Sequence, residues 1–261
     1  MYDFIDVNQT PSAVALPSEA MTFNGKVFES EIKGYRTLSV SGREMIGKNV
    51  SGQNVDGLDG TIFMGSSYPS RVITVKYQLR TDSSTDFRSK FNKLNQLLSK
   101  EESVFKFADE PNYEFIGTLS DVGDVKEGSL EVVSSFSITC SDPYKYKTAD
   151  VISGLGTVTI ENKLFYNTLP AEIKITPKSQ TNTLTIKNVT KNKTIKLVDT
   201  FLLDVPVYVY PEAQEIKRNG INYPNFLVWT SDFENFTISE NDVITVTPSS
   251  DIEIKVREMM L

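Results

Sequence analysis

The stretch Arg71–Pro111 reads RVITVKYQLRTDSSTDFRSKFNKLNQLLSKEESVFKFADEP, and its hydrophobic period changes along its length. Apolar and polar side chains alternate strictly over Ile73–Arg80, which is the pattern of a half-buried β-strand. Between residues 87 and 98 the apolar positions recur three and four residues apart, which predicts an amphipathic α-helix. The apolar run 104–107 predicts another strand, which the closing proline ends because it cannot donate to a β-ladder. We therefore expect the helix to lie across a sheet that contains these two strands.

The predicted helix has a clear start and one apolar face. Ser83 and Ser84 offer side-chain oxygens that cap the free N–H groups of the first turn, and Asp86 suits its positive end. Lys93 falls on the outer face. The apolar stripe consists of Phe87, Phe91, Leu94, Leu97 and Leu98. This is the only convincing helix that the sequence predicts.

The length and charge of the chain bound what it does. Its 261 residues suggest about two domains, and its formal net charge is −7. This acidity argues against a protein that grips nucleic acid, because phosphates demand a basic surface. No apolar run approaches the roughly 20 residues that span a bilayer, so membrane insertion is not expected. The acidic start Met1–Phe4 does not resemble a signal peptide, so we expect synthesis in a cytoplasm without export.

The chain has no histidine and only one cysteine. The lack of histidine removes Ser-His-Asp and Cys-His catalysis, His-ligated zinc and the commonest general base at neutral pH. Cys140 ends an alternating run, so we expect it to be a small buried or edge residue of a strand. The sequence therefore assigns no catalytic, cofactor-binding or metal-binding residue.

Several further strands are predicted in the first half. One is expected at the very start of the chain, and another over Tyr35–Met45. Asn24-Gly25 predicts a hairpin with a type I′ turn within Met21–Phe28. Two more strands are expected over 113–119 and 129–140, before Pro143 interrupts the sheet. The sequence of residues 148–156 is that of a linker.

A polar, glycine-rich segment over residues 46–60 separates two of these strands. Its glycines are Gly47, Gly52, Gly57 and Gly60. A loop of this length in a compact domain is usually functional or flexible, so the segment is either a long mobile loop or an extended hairpin arm. A phosphate-binding loop is disfavoured because neither a helix pattern nor Gly-Lys-Ser/Thr follows.

The second half predicts only short strands, which is typical of a β-sandwich. Turn residues separate these strands at close intervals, including Asn219-Gly220. The expected strands are Thr157–Ile160, Ala171–Thr176, Thr183–Asn188, Thr194–Leu197, Val205–Tyr210, Glu215–Arg218, Ile221, Phe226–Trp229, Asn235–Ile238, Val243–Thr247 and Ile252–Val256.

Three stretches of the first half carry a family resemblance. They are Val72–Arg80 running into the helix stripe, then Phe107, Asp109, Glu110 and Pro111 followed by Tyr113 and Phe115, and finally Phe136 and Cys140 followed by Asp142, Pro143 and Tyr144. Together they resemble the distal tail protein family of long-tailed, non-contractile bacteriophages of Gram-positive hosts. The second half is similar in layout to the galectin-like sandwich of that family. The family usually has a glycine in the late turn, where we expect Asn241 to adopt the left-handed conformation.

The resemblance implies a mainly β protein with one helix and two domains. Residues 1–147 would form a β-sandwich-like ring domain with one packed α-helix, and residues 148–261 a galectin-like β-sandwich. The implied assembly is a homo-hexameric hub ring in the tail tip or baseplate of the virion, assembled in the bacterial cytoplasm. The implied partners are the tail tube protein, the tail-associated baseplate hub protein and receptor-binding proteins. DNA would pass through the ring without specific binding.

Several acidic residues are candidates for catalysis or calcium binding. Asp109, Glu110 and Asp142 are candidates for the paired carboxylates of a glycosidase, but acids beside prolines more often cap turns. The aspartates of the glycine-containing loops are Asp56, Asp59, Asp121 and Asp124. They lack the ligand spacing of a calcium loop, so solvated loops are favoured. An enzyme is therefore not expected, and no cofactor is implied.

The alternative function is a carbohydrate-binding module that recognises cell-wall glycans. Its candidate contacts are Tyr208, Tyr210, Tyr223 and Trp229, whose rings could stack on sugars. Packing in the core and rim is favoured instead, because Tyr208 and Tyr210 share a strand face and Trp229 ends an apolar run that we expect to be buried. In the ring hypothesis the glycine-rich segment reaches the neighbouring subunit, and acids such as Glu31, Glu44 or Asp59 face the lumen.

Overall fold

The computed structural model describes residues 16–57, 59–125, 129–164 and 166–261. The chain divides into two compact units between Lys145 and Tyr146. Each unit has its own core of buried apolar side chains. The strand expected at the very start of the chain lies outside the described residues.

The first domain is organised around one antiparallel sheet. Its elements are β1 (Met21–Phe23), β2 (Lys26–Val27), α1 (Phe28–Glu31), β3 (Tyr35–Ser41), β4 (Asn49–Gln53), β5 (Ile62–Ser67), β6 (Arg71–Arg80), α2 (Ser84–Leu98), β7 (Ser103–Phe107), β8 (Tyr113–Val122) and β9 (Glu131–Cys140). Seven of these strands form the sheet in the order β2-β1-β7-β8-β9-β6-β3. Its core is rich in stacked aromatic rings, such as Phe105 between Phe23 and Phe115.

The predicted helix is confirmed as α2. Ser83 Oγ accepts a hydrogen bond from the Asp86 N–H at 3.1 Å, which is the expected N-cap. Four of the five stripe residues are buried: Phe87, Leu94, Leu97 and Leu98. The four-residue helix α1 was not predicted, because one turn is too short to show a helical period. No helix in the described part of the chain has the length and apolarity needed to cross a membrane.

Local turn chemistry determines the first hairpin. Asn24 and Gly25 both have positive φ, 48° and 77°, so the predicted type I′ turn is confirmed. The strand predicted to reach Met45 ends earlier, at Ser41, and the Met45 side chain is fully exposed. Gly42 stops the strand because its φ of +91° is left-handed, and a Cβ there would lie 2.1 Å from the Val72 carbonyl oxygen.

The second domain is a β-sandwich, as predicted. Two short strands, β10 (Lys145–Lys147) and β21 (Met259–Met260), pair with each other outside the two sandwich sheets. The strands of the sandwich are β11 (Asp150–Leu155), β12 (Thr157–Thr159), β13 (Glu172–Pro177), β14 (Thr181–Asn188), β15 (Lys193–Phe201), β16 (Val207–Tyr210), β17 (Glu215–Arg218), β18 (Ile221–Asn222), β19 (Val243–Thr247) and β20 (Ser250–Val256). One sheet has the order β11-β20-β13-β16-β17-β18 and the other β12-β19-β14-β15. Asn241 has a positive φ, which confirms its expected left-handed conformation, and Asn219 in the predicted turn also has a positive φ.

Three predicted segments of this domain are wrong. The supposed linker 148–156 contains β11, which pairs along its whole length with β20. The strands expected over Phe226–Trp229 and Asn235–Ile238 are replaced by the 3-10 helices Pro224–Phe226 and Phe233–Asn235 with isolated bridges. In these two predicted strands, tertiary packing buries Phe226, Phe236 and Ile238 without a β-ladder, whereas Trp229 is exposed.

Cys140 is fully buried in β9, as expected. Burial raises the pKa of its thiol to about 12. We expect the native thiol to be inert towards Ellman's reagent at pH 8 and to react fully once the chain is unfolded in guanidinium. Because the folded pKa is raised, the neutral thiol stabilises the fold fully below pH 9.0, and this contribution is lost as the pH rises towards 12. A thiol that reacts rapidly without denaturant would contradict this expectation.

Candidate functional site

The glycine-rich segment folds as part of a projecting β-hairpin. Among the described residues, β4 and β5 pair only with each other, from Asn49 opposite Ser67 to Gln53 opposite Ile62, and form a separate two-stranded sheet. We call these two strands and their connecting turn the arm. Of the two alternatives for this segment, the extended hairpin agrees with the structure. The hairpin extends past the predicted segment, because its second strand is β5, which was not predicted from the sequence.

The four candidate glycines have different positions in the arm. Gly47 precedes β4, and Gly57 and Gly60 lie in the connecting turn with φ of +83° and +84°. Gly52 lies within β4, where a Cβ would approach the Thr61 hydroxyl oxygen to 2.8 Å. Gly52 therefore allows the close approach of the two strands, and the turn glycines allow the reversal of the chain.

The arm exposes large apolar side chains to solvent. Val50, Ile62, Phe63 and Met64 are each more than half exposed. A two-stranded hairpin is marginally stable alone in water, and contiguous exposed apolar surface usually marks a contact site. The arm is therefore the part of the first domain best suited to contact another molecule.

Arg43, at the root of the arm, is held by two carboxylates. Its Nη1 and Nη2 atoms donate to the two carboxylate oxygens of Asp109, both at 2.8 Å, and Nη2 also donates to Glu19 at 3.1 Å. Its guanidinium lies 4.5 Å from the centre of the Phe107 ring. Burial alone lowers the pKa of Arg43, but the hydrogen bond that it donates to Asp109 and the charges of Asp109, Glu19 and Glu110 outweigh burial and raise the pKa.

Arg71, at the start of β6, ties the root of the arm to another loop. Its Nε donates to the Pro143 carbonyl oxygen at 2.9 Å, and its Nη1 donates to the Gly42 carbonyl oxygen at 3.1 Å. Arg71 is almost fully buried, and this burial lowers its pKa. One guanidinium therefore fixes the two loops around residues 42 and 143 relative to each other.

Aromatic rings also connect the root of the arm, where β5 ends, to the same region. The Tyr68 ring, just after β5, meets the Tyr144 ring edge-on at 6.2 Å, and the Lys48 ammonium lies 4.9 Å from the Tyr68 ring centre. Lys145 forms an ion pair with Glu110 and lies 5.2 Å from the Tyr113 ring centre. We call the side chains of Glu19, Arg43, Arg71, Asp109 and Tyr144 the arm anchor.

The structure brings the residues of the family motif together. Phe107 and Asp109 contact Arg43, the Pro143 carbonyl contacts Arg71, and Tyr144 contacts Tyr68. Pro111 lies in the turn that follows. Sequence reasoning missed Glu19, Arg43 and Arg71, because no local pattern links them to partners that are distant along the chain.

The acidic residues considered for catalysis form ion pairs or hydrogen bonds with other residues of the first domain. Asp109 pairs with Arg43, Glu110 pairs with Lys145, and Asp142 accepts a hydrogen bond from the Tyr144 N–H at 3.1 Å. Within the described parts of the chain, no three acidic, Cys or His side chains come together as a metal site would require. Asp56, Asp59, Asp121 and Asp124 are exposed.

The four aromatic residues of the glycan alternative lie in different surroundings. Tyr208 and Tyr210 stack on each other on β16 with ring centres 6.4 Å apart, and Tyr223 stacks on Phe226 at 4.6 Å. The expectation that Trp229 closes a buried run is wrong, because its side chain is 91% exposed. It follows the 3-10 helix Pro224–Phe226 in a turn, so the apolar run around it is not a buried strand.

Residues 30–198 match the family described as a phage tail protein RIFT-related domain, and this match covers more than half of the chain. The chain belongs to this siphophage tail protein family. Residues 166–259 also match the siphovirus-type tail component, C-terminal domain. The resemblance to distal tail proteins is thereby confirmed. The protein is a structural component of a siphophage tail and hence part of the virion.

Solved structures share the fold of this tail protein. The crystal structure of the SPP1 Dit (gp 19.1) protein, described as a paradigm of the hub adsorption apparatus in phages infecting Gram-positive bacteria, superposes with a TM-score of 0.79. It is 21% identical, over 93% of this chain and 99% of its own. A chain of the phage P2 baseplate in its activated conformation with Ca is 11% identical over 89% of this chain and 93% of its own, with a TM-score of 0.56. No curated protein sequence matches this chain.

Proposed function

We propose that this tail protein forms a hexameric hub ring at the tail tip, between the tail tube and the host-adsorption apparatus. Residues 1–147 make the ring, and residues 148–261 form a galectin-like domain. The observation that carries this proposal is the exposed apolar arm on a rigid anchor. The similarity to the SPP1 hub protein supports it at the level of the fold.

The arm gains its missing contacts from the neighbouring subunit. Burying Phe63 or Met64 against a neighbour stabilises each contact by about 1.5–3 kcal/mol per side chain. The anchor holds the root of the arm, so little orientational freedom is lost on assembly. A head-to-tail contact of this kind closes into a ring when the rotation per subunit divides a full turn.

The edge of the main sheet at β3 is less suited to such contact. The Thr37 N–H donates to Glu29 at 2.9 Å, and the Val40 N–H donates to Glu19 at 3.1 Å. Two backbone donors of this edge strand are therefore occupied by carboxylates, which discourages pairing with another strand. This difference favours the arm as the contact between subunits.

The charge of the ring suits the passage of DNA without binding. Six chains of net charge −7 carry 6 × −7 = −42, and acidic groups at the lumen repel phosphates. Of the three acids considered, Glu31 pairs with Lys93 at 3.0 Å and Glu44 accepts a bond from the Gly42 N–H at 2.9 Å. Asp59 is exposed in the arm and is the strongest of the three candidates.

The ring binds proteins on several sides and performs no catalysis. Its partners are the tail tube protein on one face, the tail-associated baseplate hub protein on the other, and receptor-binding proteins at the rim. Assembly takes place in the cytoplasm of the bacterial host, and no cofactor takes part.

The ring is tested by measuring the mass of the full-length chain in concentrated solution, alone and with the tube protein of the same tail. We expect a species of six chains for the native protein. The double substitution Phe63→Ser with Met64→Ser is expected to leave single chains. The matched control is Val122→Ser, because Val122 is as exposed as Met64 but lies in β8, outside the arm; it should assemble normally.

Two outcomes would contradict the proposal in different ways. A native protein that stays a single chain even with the tube protein present would exclude the ring. A double variant that still forms six-chain rings would retain the ring and exclude the arm as its contact.

A further inference from the structure

The second domain has an open groove beside its exposed tryptophan. The groove has a volume of about 460 Å³, within the range of small-ligand sites. Ile216, Leu227 and Phe233 contribute apolar surface to its lining. Glu234 and Asn235 add exposed polar groups. The site therefore combines an exposed aromatic ring with some apolar surface and several hydrogen-bonding groups.

The turn that carries Trp229 is firmly fixed to strand β15. The Val228 N–H donates to the Lys196 carbonyl oxygen at 2.9 Å, and the Lys196 N–H donates to Ser231 Oγ at 3.0 Å. The Ser231 N–H closes the turn by donating to the Val228 carbonyl oxygen at 2.9 Å. The indole is thus exposed on a backbone that is held on both sides, and little order is lost when a ligand stacks on it.

Asp232 extends this support along the same strand. It accepts hydrogen bonds from the Thr194 N–H and from Lys193 Nζ, both at 3.0 Å. The backbone bond from Thr194, together with Lys193, lowers the pKa of Asp232. Asp232 therefore stays ionised at neutral pH and keeps the turn in place.

We infer that this groove binds a neutral saccharide, with one sugar ring stacked on the Trp229 indole. The face of an indole is electron-rich, and the C–H groups on one face of a pyranose are electron-poor and apolar. The sugar hydroxyl groups both donate and accept hydrogen bonds, which matches a side-chain carboxylate and amide at the rim. A flat protein partner would not need a concave site of this size.

Charge selects among saccharides. Asp232 and Glu234 place two carboxylates at the groove, and Lys193 pairs with Asp232 at 3.0 Å. An anionic polymer, such as a chain of glycerol phosphates, would be repelled. This site lies entirely in the second domain, so its function does not depend on the ring.

Trp229 is the only tryptophan of the chain, so its fluorescence reports this site directly. Titration of the full-length protein with tri-N-acetylchitotriose, maltotriose and lactose is expected to change the emission for at least one of them, with a Kd on the order of 1 mM. Poly(glycerol phosphate) at the same concentration is expected to have no effect. Ligand-observed NMR gives the same Kd without relying on the indole.

The substitution Trp229→Ala is expected to raise the Kd for the saccharide that binds most tightly by about tenfold or more, whereas Trp229→Tyr should retain part of the affinity. The fold should survive, because the side chain is exposed, and a thermal melt checks this. Val151→Ala, at an exposed position of β11 outside the groove, is the control and should bind as the native protein does. Failure of all three neutral saccharides, equal loss in Val151→Ala, or Trp229-dependent binding of a purified tail protein instead would overturn the inference.

Discussion

Replacing Leu94 or Leu97 by alanine is expected to lower the free energy of unfolding by about 2–5 kcal/mol. Both side chains are buried on α2 and belong to the core cluster of the first domain. Truncation removes apolar contacts and leaves a cavity, which the closely packed neighbouring side chains fill only in part. The effect is measured by guanidinium unfolding of the purified full-length protein.

Lys93 is the matched control on the same helix. Its Nζ lies 3.0 Å from a Glu31 carboxylate oxygen, but both side chains are more than 30% exposed. An exposed ion pair contributes at most about 1 kcal/mol, so Lys93→Ala should shift stability much less than either leucine variant. Similar small effects for all three variants would show that α2 is not a core element of the isolated chain.

The parts of the fold that were predictable are those determined by neighbours in sequence. The helix follows from apolar residues at helical spacing, and its start follows from Ser83, whose cap needs only the next three residues. The turn at Asn24-Gly25 is similar, because its left-handed conformations depend on those two residues alone. Such features need no knowledge of the tertiary structure.

The errors in the second domain come from longer-range packing. The linker prediction for residues 148–156 is wrong because β11 is held by its pairing with β20, which is distant along the chain. Gly154 is required there, since a Cβ would lie 2.5 Å from the Thr157 carbonyl oxygen. Phe226 and Phe236 lie in apolar runs that are typical of strands, but they are buried by segments that contain 3-10 helices and isolated β-bridges. Hydrophobicity predicted their burial correctly and their backbone wrongly.

The candidate site was predictable only in part for the same reason. The glycine pattern predicted an unusual segment, but the second strand of the arm carries exposed apolar residues that resemble neither a core strand nor a loop. Arg43 and Asp109 lie 66 residues apart, and neither belongs to a periodic pattern. Only the folded sheet brings the end of β3 beside the turn after β7.

A double-mutant cycle between Arg43→Met and Asp109→Asn is expected to give a coupling free energy of about 1–3 kcal/mol. The two groups share two hydrogen bonds of 2.8 Å, and their side chains are only 13% and 23% exposed. Methionine keeps apolar contact with the Phe107 ring, so the cycle isolates the charge and its hydrogen bonds. Because the pair is partly buried, we expect most of the coupling to persist in 1 M salt.

Lys106 and Glu114 provide the matched control in the same domain. They lie 3.8 Å apart and both are about 40% exposed, so their cycle is expected to give no more than about 0.5 kcal/mol and to vanish in salt. A coupling for Arg43 and Asp109 as small as this control would show that the anchor does not fix the root of the arm. Because assembly needs an oriented arm, Arg43→Met should also reduce the six-chain species at limiting concentration, while Lys106→Met leaves it unchanged.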